Sequence, residues 1–590
     1  AAYWHEEALC GGEGDPLCAA PWLHSEAPVI SLAARPDKCL TVQGHGAGGG
    51  ALKLADCVTA DEAQRFAAFR GRVQLHLASQ PGECIGGGDD EQGDGGGGGA
   101  AGPHFPVLLH TPCGGEGQDT GASFEMPERG QGPIRWSLHT DLCLTVGAGG
   151  AAAERFEAGM PVSLKPCVEG SPGQRFIAPR ALYGSAFVGV NLGGWLVLEE
   201  WMWVEEMEHK GVHDEWSLVQ KFGGPDNEAA KEIMHKHWDT FLTEEHLDML
   251  ARFGATHVRI PLGYWIFDSV YDKSDGFVAG GEFYLARAIR WLKARRMKAV
   301  LDLHALPGAQ AIDDGFTGRR YPDAMFFHEA HHFERGKQAV EALVDLTLKY
   351  EADEATSGVV MGIELLNEPN HKYWEGELSI SSFYKEMVPR VRKRLPANDY
   401  MVLLSFMDSP HVPTAQWLAD QRERDPENFA GVVYDAHLYH LFGDNTAPWG
   451  PDMDKCKTCC RDTHLLEGMW SRGVPVVIGE YSMSTGFAGW EEDGFERLHL
   501  EDQLSVWNTT LAVVGSFTWN FRILLMETHP DKYKEWSVLD LISSGYLPEE
   551  GVYASNLTHR CASIHHMLEQ ECPAFDENTF WTTPCEWQRR

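Results

Sequence analysis

The sequence predicts a multidomain chain: an all-β unit followed by an α/β barrel of eight parallel strands. Three observations predict it. A cysteine-marked pattern recurs three times between residues 28 and 180, and from about residue 181 strand-like runs alternate with amphipathic helical ones. Nearly every one of those later strand-like runs also ends in a polar side chain. At 590 residues the chain exceeds what one core sustains, so two or three domains follow. We divide it into a 1–27 extension, a 28–180 β unit and a 181–590 barrel with a cysteine-bearing tail. An apolar fraction of 43% with 20 Trp marks a folded chain. The 86 acidic against 49 basic side chains leave a net charge of -37, which repels phosphate backbones and anionic lipid surfaces. Nucleic acid and membrane are therefore poor partners, whereas a neutral glycan meets no such barrier. No apolar run of about 18 residues is present, so no membrane span is expected. No motif implies a cofactor.

The 28–180 unit reads as three copies of a few short strands. The first copy holds Cys39-Leu40-Thr41-Val42, Cys57 and Gln64-Arg65-Phe66; the third holds Cys143-Leu144-Thr145-Val146, Cys167 and Gln174-Arg175-Phe176. The second is degenerate, with Cys84-Ile85, Val107-Leu108-Leu109, Cys113 and Phe124. No copy can bury a core alone, so the three close on one another about a pseudo-threefold axis. This resembles the β-trefoil of ricin-type lectin modules, with Gln-x-Phe where that family has Gln-x-Trp. The resemblance implies bridges Cys39–Cys57, Cys84–Cys113 and Cys143–Cys167. It leaves glycan binding open, because Thr41 and Thr145 stand where the family places a sugar-gripping Asp. The stretch from Gly86 to Gly102 reads as a surface loop, since it lacks the strand–GxGxxG–helix setting of a phosphate cradle.

Eight runs rich in Val, Ile, Leu or aromatics follow: Ala186–Trp195, Thr256–Leu262, Lys298–Leu306, Val359–Asn367, Tyr400–Phe406, Gly431–Tyr439, Val474–Tyr481 and Val514–Asn520. Helical candidates between them include Glu244–Phe253, Glu282–Arg296, Lys337–Tyr350 and Ile380–Leu395. Eight parallel strands and their helices close into a barrel whose chemistry sits at the strand C-terminal ends. Those ends carry Asn191 and Glu199, Arg259, His304, Asn367-Glu368, His437 and Tyr439, Glu480 and Trp519. Polar groups ending apolar strands are costly unless they converge on something. Glu368 and Glu480, from the fourth and seventh runs, face each other across such a mouth. A carboxylate pair about 5–5.5 Å apart is the arrangement of a retaining glycosidase. Metal binding is the other use of such a pair, with His304 and His437 near. No H-x-x-x-H pair on a helix or second carboxylate cluster supports it. Arg259 and Tyr439 are placed to donate to Glu480 and favour its ionised, nucleophilic form. Glu368, beside an ionised partner, is the candidate general acid. The amide of Asn367 suits a sugar 2-OH, and the ring of Trp519 suits a pyranose face.

The segments Asn191-Leu192-Gly193-Gly194-Trp195, Trp238-Asp239-Thr240-Phe241 and Val258-Arg259-Ile260-Pro261 resemble those of fungal exo-β-1,3-glucanases in glycoside hydrolase family five. So do Leu301-Asp302-Leu303-His304, Leu366-Asn367-Glu368-Pro369, Ile478-Gly479-Glu480-Tyr481 and Gly545-Tyr546-Leu547-Pro548, all in order. The resemblance implies a secreted β-glucan hydrolase with Glu368 as acid/base and Glu480 as nucleophile. By it, Arg259, His304, Asn367, His437, Tyr439 and Trp519 line the cleaved sugar, and Glu199 holds a terminal glucose. Phe316 and Phe442 stand where an aromatic entrance clamp is expected. The text from Ala305 to Ile312 departs from the family, which leaves exo action and linkage open. Transglycosylation, or hydrolysis of β-1,6, β-1,4 or lipid glucosides, uses the same machinery. A non-catalytic wall-binding protein is the rival class, and loss of either glutamate would have marked it.

Fourteen cysteines, mostly in polar surroundings, with sequons at Asn508 and Asn556, fit the secretory pathway. The chain opens at Ala1 without a methionine or signal-like segment, which reads as a removed leader or a trimmed chain. Cys10 and Cys18 are expected to pair. Cys456, Cys459, Cys460, Cys561, Cys572 and Cys585 read as three further disulfides, the alternative being a zinc site begun by Cys456-x-x-Cys459.

Overall fold

A computed structural model describes residues 30–32, 34–43, 51–57, 62–64, 66–68, 73–77, 80–87, 105–110, 123–125, 131–136, 139–147, 156–168, 170–177, 186–397, 399–406, 411–425, 428–429, 431–441, 456–472, 474–485, 494–510, 512–525 and 533–549. Cys10, Cys18, Cys113, Phe442, Asn556, Cys561, Cys572 and Cys585 lie outside the described residues, as does the 1–27 extension. The chain divides at Ser185/Ala186 into two compact units.

In the first unit the described strands form an antiparallel sheet. Two hairpins repeat each other. Arg35–Gln43 pairs with Ala51–Asp56 so that Leu40 faces Leu54, and His139–Val146 pairs with Val162–Pro166 so that Leu144 faces Leu164. Inward and outward residues alternate along Ala51–Asp56, the period-two signature of a half-buried strand. A disulfide closes each hairpin, Cys39–Cys57 and Cys143–Cys167, both with Cα atoms 5.0 Å apart. The backbone bonds repeat as well: Leu40 N–H donates to Ile30 O at 2.8 Å and Leu144 N–H to Ile134 O at 2.9 Å. The recurrent Gln-x-Phe now has a physical account. Gln64 and Gln174 donate from Nε2 to the carbonyls of Asp56 and Pro166, at 2.7 and 2.9 Å, tying off the second strand of each hairpin. Two residues on, Phe66 and Phe176 are fully buried in the unit's core with Leu40, Leu54, Phe124, Leu144 and Leu164.

The second unit is a closed barrel of eight parallel strands: β1 (Phe187–Asn191), β2 (His257–Gly263), β3 (Lys298–Ala305), β4 (Val360–Glu364), β5 (Met401–Ser405), β6 (Val432–His437), β7 (Val476–Tyr481) and β8 (Val513–Thr518). Six of the eight predicted runs contain these strands, while β2 and β8 each overrun theirs by one residue. The ring shuts where β1 pairs with β8, Val188 beside Ser516. Gly515 is required there, because a Cβ on it would meet the Phe187 ring at 2.1 Å. The helix after β2 spans Gly281–Ala294, and Glu244–Phe253 precedes that strand with a Thr243 capping box and Gly254 in the left-handed region. The helix predicted over Lys337–Tyr350 runs longer, Ala330–Ala352. Gly336 sits inside it, where the Phe326 ring fills the space a Cβ would take. Asn508 falls in the last turn of the helix Phe495–Thr509. No helix among the described residues is long and apolar enough to cross a membrane.

Replacing Cys143 and Cys167 together by serine is expected to lower the stability of the first unit by about 2–4 kcal/mol. A chemical-denaturation curve followed by circular dichroism checks it; an unchanged midpoint would show that the bridge carries no stability.

Candidate active site

The C-terminal ends of the strands converge on one buried cation. Arg259 of β2 is fully buried. Its Nε donates to Glu364 Oε2 at 2.8 Å, and its Nη1 to Asn191 Oδ1 at 3.0 Å and Glu480 Oε1 at 2.9 Å. Its Nη2 donates to Asn367 Oδ1 at 2.7 Å and lies 3.1 Å from Asp302 Oδ2. Burial disfavours its charge, but the carboxylates of Asp302, Glu364, Glu480 and Asp435 outweigh burial and hold it cationic.

Glu480, in β7, is gripped at both oxygens: Arg259 holds Oε1, and Tyr439 O–H donates to Oε2 at 2.7 Å. Glu368 lies four residues past the end of β4, with φ of 40°. That left-handed backbone is uncommon for a side-chain-bearing residue and marks a constrained position. Its N–H donates to Ser405 Oγ at 3.2 Å. Between the two acids stands His437, whose Nδ1 is 2.5 Å from Glu368 Oε1 and 3.4 Å from Glu480 Oε2. An oxygen of Glu368, an oxygen of Glu480 and a nitrogen of His437 all lie within 4.8 Å of one another.

Around this pair the other predicted residues form walls. The Trp519 ring lies parallel to His304, centroids 5.7 Å apart, and Gly193 lets it approach, since a Cβ there would meet the indole at 2.5 Å. Phe316 is buried and stands edge-on to His304 at 5.4 Å. Its expected clamp partner, Phe442, is outside the described residues. Asn367 Nδ2 is buried with no hydrogen-bond partner among the described residues, an open donor at the mouth. Glu199 Oε2 accepts Trp201 Nε1–H at 2.8 Å, and burial raises its pKa to about 8.

The electrostatics differ from expectation at one point. Burial outweighs the cations around Glu480 and raises its pKa, with Glu368 adding to the rise and His437, Arg259 and His304 opposing it. For His437 the balance is reversed: Glu480, Asp435 and Glu368 overcome burial and raise the imidazole well above its usual value. His304 is raised in the same way by Asp302, which its Nδ1 meets at 2.6 Å.

Sequence reasoning missed the layer beneath. Asp302, Glu364 and Asp435 are buried behind the pair, correcting the expectation that no second carboxylate cluster exists. A signal was present. Asp302 precedes His304, and Asp435 precedes His437, by two residues, the strand spacing that puts both on one face. Two groupings, Glu364–Asp435–His437 and Glu368–His437–Glu480, bring ligand-type atoms together closely enough for a cation, as do Glu329, His331 and His332 on the helix after β3. In the first two, Arg259 and His437 already supply positive charge. Cys456, Cys459 and Cys460 are buried and disulfide-bonded, so they offer no thiolate for zinc.

Residues 224–510 match the family model Cellulase (glycosyl hydrolase family 5). Fold, acid pair and family match together define a glycoside hydrolase domain. "Probable glucan 1,3-beta-glucosidase A" of Aspergillus fumigatus is 32% identical over 302 residues, 51% of this chain and 66% of the relative. "Glucan endo-1,6-beta-glucosidase B" of Emericella nidulans is 26% identical over 381 residues, 61% of this chain and 85% of the relative. The chain thus spans just under two thirds of the first relative's length. The crystal structure of rutinosidase from Aspergillus niger, 19% identical, covers 62% of this chain and 98% of its own with a TM-score of 0.50, and shares the fold.

Glu215 is fully buried, accepts Leu198 N–H at 3.2 Å, and is pushed up to about 8 by burial. A raised carboxyl contributes stability below its unfolded value and loses it as pH rises through the folded one. The thermal midpoint is therefore expected to fall between pH 4.5 and about 8. Glu215→Gln should flatten that fall; melts at several pH values check it, and an equally steep fall in the variant refutes it.

Proposed function

We propose that this chain is a retaining β-glucan hydrolase that releases glucose from β-1,3-linked chains by double displacement. The observation that carries the reading is the proximity of Glu368 and Glu480: an oxygen of each lies within 4.8 Å of the other, about the spacing a nucleophile and an acid need on opposite sides of one glycosidic bond. In the first step a carboxylate oxygen of Glu480 attacks the anomeric carbon while Glu368 gives its proton to the departing oxygen. A glycosyl ester forms and the aglycone leaves. In the second step Glu368, now a carboxylate, takes a proton from water, which displaces Glu480 and frees glucose with its configuration retained.

The surrounding groups have defined parts. Arg259 and Tyr439 fix both oxygens of Glu480, so one lone pair is aimed, and the negative charge is stabilised on the carboxylate before it attacks and again as it leaves. The open Nδ2 of Asn367 fits the sugar 2-OH, where contact strengthens toward the transition state. Trp519, backed by His304, offers a flat face, and Glu199 with Trp201 offers a polar end wall suited to a terminal glucose. The β-1,3 preference is favoured by the 32% identical relative named a glucan 1,3-beta-glucosidase. The relative named an endo-1,6-beta-glucosidase keeps β-1,6 cleavage as a second reading. Transfer to a glucan acceptor, or cleavage of β-1,4 or lipid glucosides, would use the same pair. The disulfides and the fungal relatives favour a secreted protein.

For the first unit we read a β-trefoil with a structural role. Thr145 is fully buried, donates to Cys143 O at 2.9 Å and accepts Gln174 Nε2–H at 2.8 Å, so both its bonds are internal and none faces a sugar.

Glu480→Gln is expected to lower glucose release from laminarin by about a thousandfold or more while the protein melts as the parent does. Sizing the parent's products on β-1,3, β-1,6 and β-1,4 glucans decides the rest. Glucose from the first minutes supports exo action, a ladder of oligosaccharides shows endo action, and products longer than the substrate show transfer. Parental turnover in Glu480→Gln would overturn the assignment.

A further inference from the structure

Beneath the paired glutamates lie two carboxyl groups that the reaction above does not use. Glu364 ends β4 and Asp435 lies in β6; they are 0% and 1% exposed. Glu364 Oε1 and Asp435 Oδ1 are each buried without an N–H donor. Yet the two side chains meet. An oxygen of each and a nitrogen of His437 all lie within 4.8 Å of one another, and Glu364 favours the charged form of Asp435. Two carboxyl groups this close where water is excluded repel one another when both are ionised, which favours holding one proton between them.

The other two oxygens take different cations. Glu364 Oε2 accepts Arg259 Nε–H at 2.8 Å, and Asp435 Oδ2 accepts His437 Nε2–H at 3.2 Å. The groups facing Glu364 are Arg259 from β2, Asp302 from β3, Asp435 from β6 and the Tyr384 phenol from the helix Ile380–Arg392. Burial, Asp302 and Asp435 drive the Glu364 carboxyl well above the usual range. For Asp435, burial also opposes the charge, but His437 and Arg259 prevail and hold it below that range.

We propose that Glu364 is a protonated carboxylic acid donating through Oε1 to Asp435 Oδ1, and that it thereby keeps Asp435 a carboxylate able to hold His437 as an imidazolium between Glu368 and Glu480. The proposal rests on the reading of Glu368 and Glu480 as the reacting pair. A neutral imidazole has one N–H, and Nε2 would compete with Nδ1 for it. With both nitrogens protonated, Nε2–H is anchored on Asp435 while Nδ1–H serves Glu368 Oε1 and faces Glu480 Oε2. Glu364 is then a positioning residue. It touches no sugar, and it acts on the pair through Asp435 and His437.

Three variants test it: Glu364→Ala, Glu364→Gln and Asp435→Asn. Glutamine keeps what a protonated glutamic acid supplies, one acceptor for Arg259 and one donor for Asp435. Glu364→Ala is expected to lower kcat roughly 30-fold, with KM changed by less than about threefold, as for groups that orient reacting residues from behind. It should also move the basic limb of the pH–kcat/KM profile on laminari-oligosaccharides down by about one unit. Glu364→Gln should restore kcat to within roughly fivefold and return the basic limb to its parental position. Asp435→Asn should reproduce the shifted limb. If glutamine is as impaired as alanine, the position needs a negative charge and the proposal is wrong. A parental basic limb in Asp435→Asn also overturns it.

Thermal melts between pH 5 and 8 separate this proposal from the assigned activity. Glu364→Gln should melt no lower than the parent and, needing no proton to stay neutral, should flatten the parent's fall with rising pH, whereas Glu364→Ala should melt lower than both at pH 5. Should the parent cleave no glucan, the activity reading fails and the melts alone decide. Glutamine melting as low as alanine would then sink the proton-sharing pair. Should the alanine variant not fold, the comparison of Glu364→Gln with Asp435→Asn carries the test.

Discussion

Everything at the mouth of the barrel is arranged around the guanidinium of Arg259. It is buried in a setting where an unpaired ion costs several kcal/mol, so the fold must surround it with acceptors. Those acceptors come from distant parts of the chain: Asn191 at the end of β1, Asp302 in β3, Glu364 and Asn367 at and beyond the end of β4, and Glu480 in β7. A planar fork with fixed donor directions holds these groups in one geometry, which a lysine ammonium cannot do. Because the donors were oriented when the barrel closed, little reorganisation remains for the moment when charge moves between sugar and carboxylate.

That constraint explains why the site is built in two layers. The upper layer, Glu368, Glu480, Tyr439, Asn367 and Trp519, faces the pocket. The lower layer, Asp302, Glu364 and Asp435, faces the barrel interior and holds Arg259, His304 and His437 from behind. Five carboxyl groups with one arginine and two histidines form a set in which each charge depends on its neighbours. Burial pushes Glu364 and Glu480 toward neutrality, and the carboxylates around His437 in turn push it toward charge. Backbone choices serve the same end. Gly479 carries no side chain because a Cβ there would meet the Asp435 carboxylate at 2.0 Å, so the residue before Glu480 has to be small.

The first unit rests on a different device. Its hairpins are short, and their cores are shared among the repeats. A disulfide and a glutamine amide therefore secure each of the two well-described hairpins at corresponding places. Here repetition substitutes for size, since a strand pair of this length is marginal by itself.

The sequence alone determined the local pieces of this protein. Strand runs appear in it as apolar stretches between helical periodicities, and the repeated Cys and Gln-x-Phe spacings carried over to matching hydrogen bonds. Glu368 and Glu480 could be singled out because each follows an apolar run at a strand's C-terminal end. Tertiary structure alone decided which charges became partners. Arg259 is 68 residues from Asn191, 105 from Glu364 and 221 from Glu480. A strand pattern states which face a side chain takes but not which neighbour it meets across a closed barrel. For the same reason Asp302, Glu364 and Asp435 looked like ordinary residues in apolar runs. Their burial exists only once eight strands have shut water out.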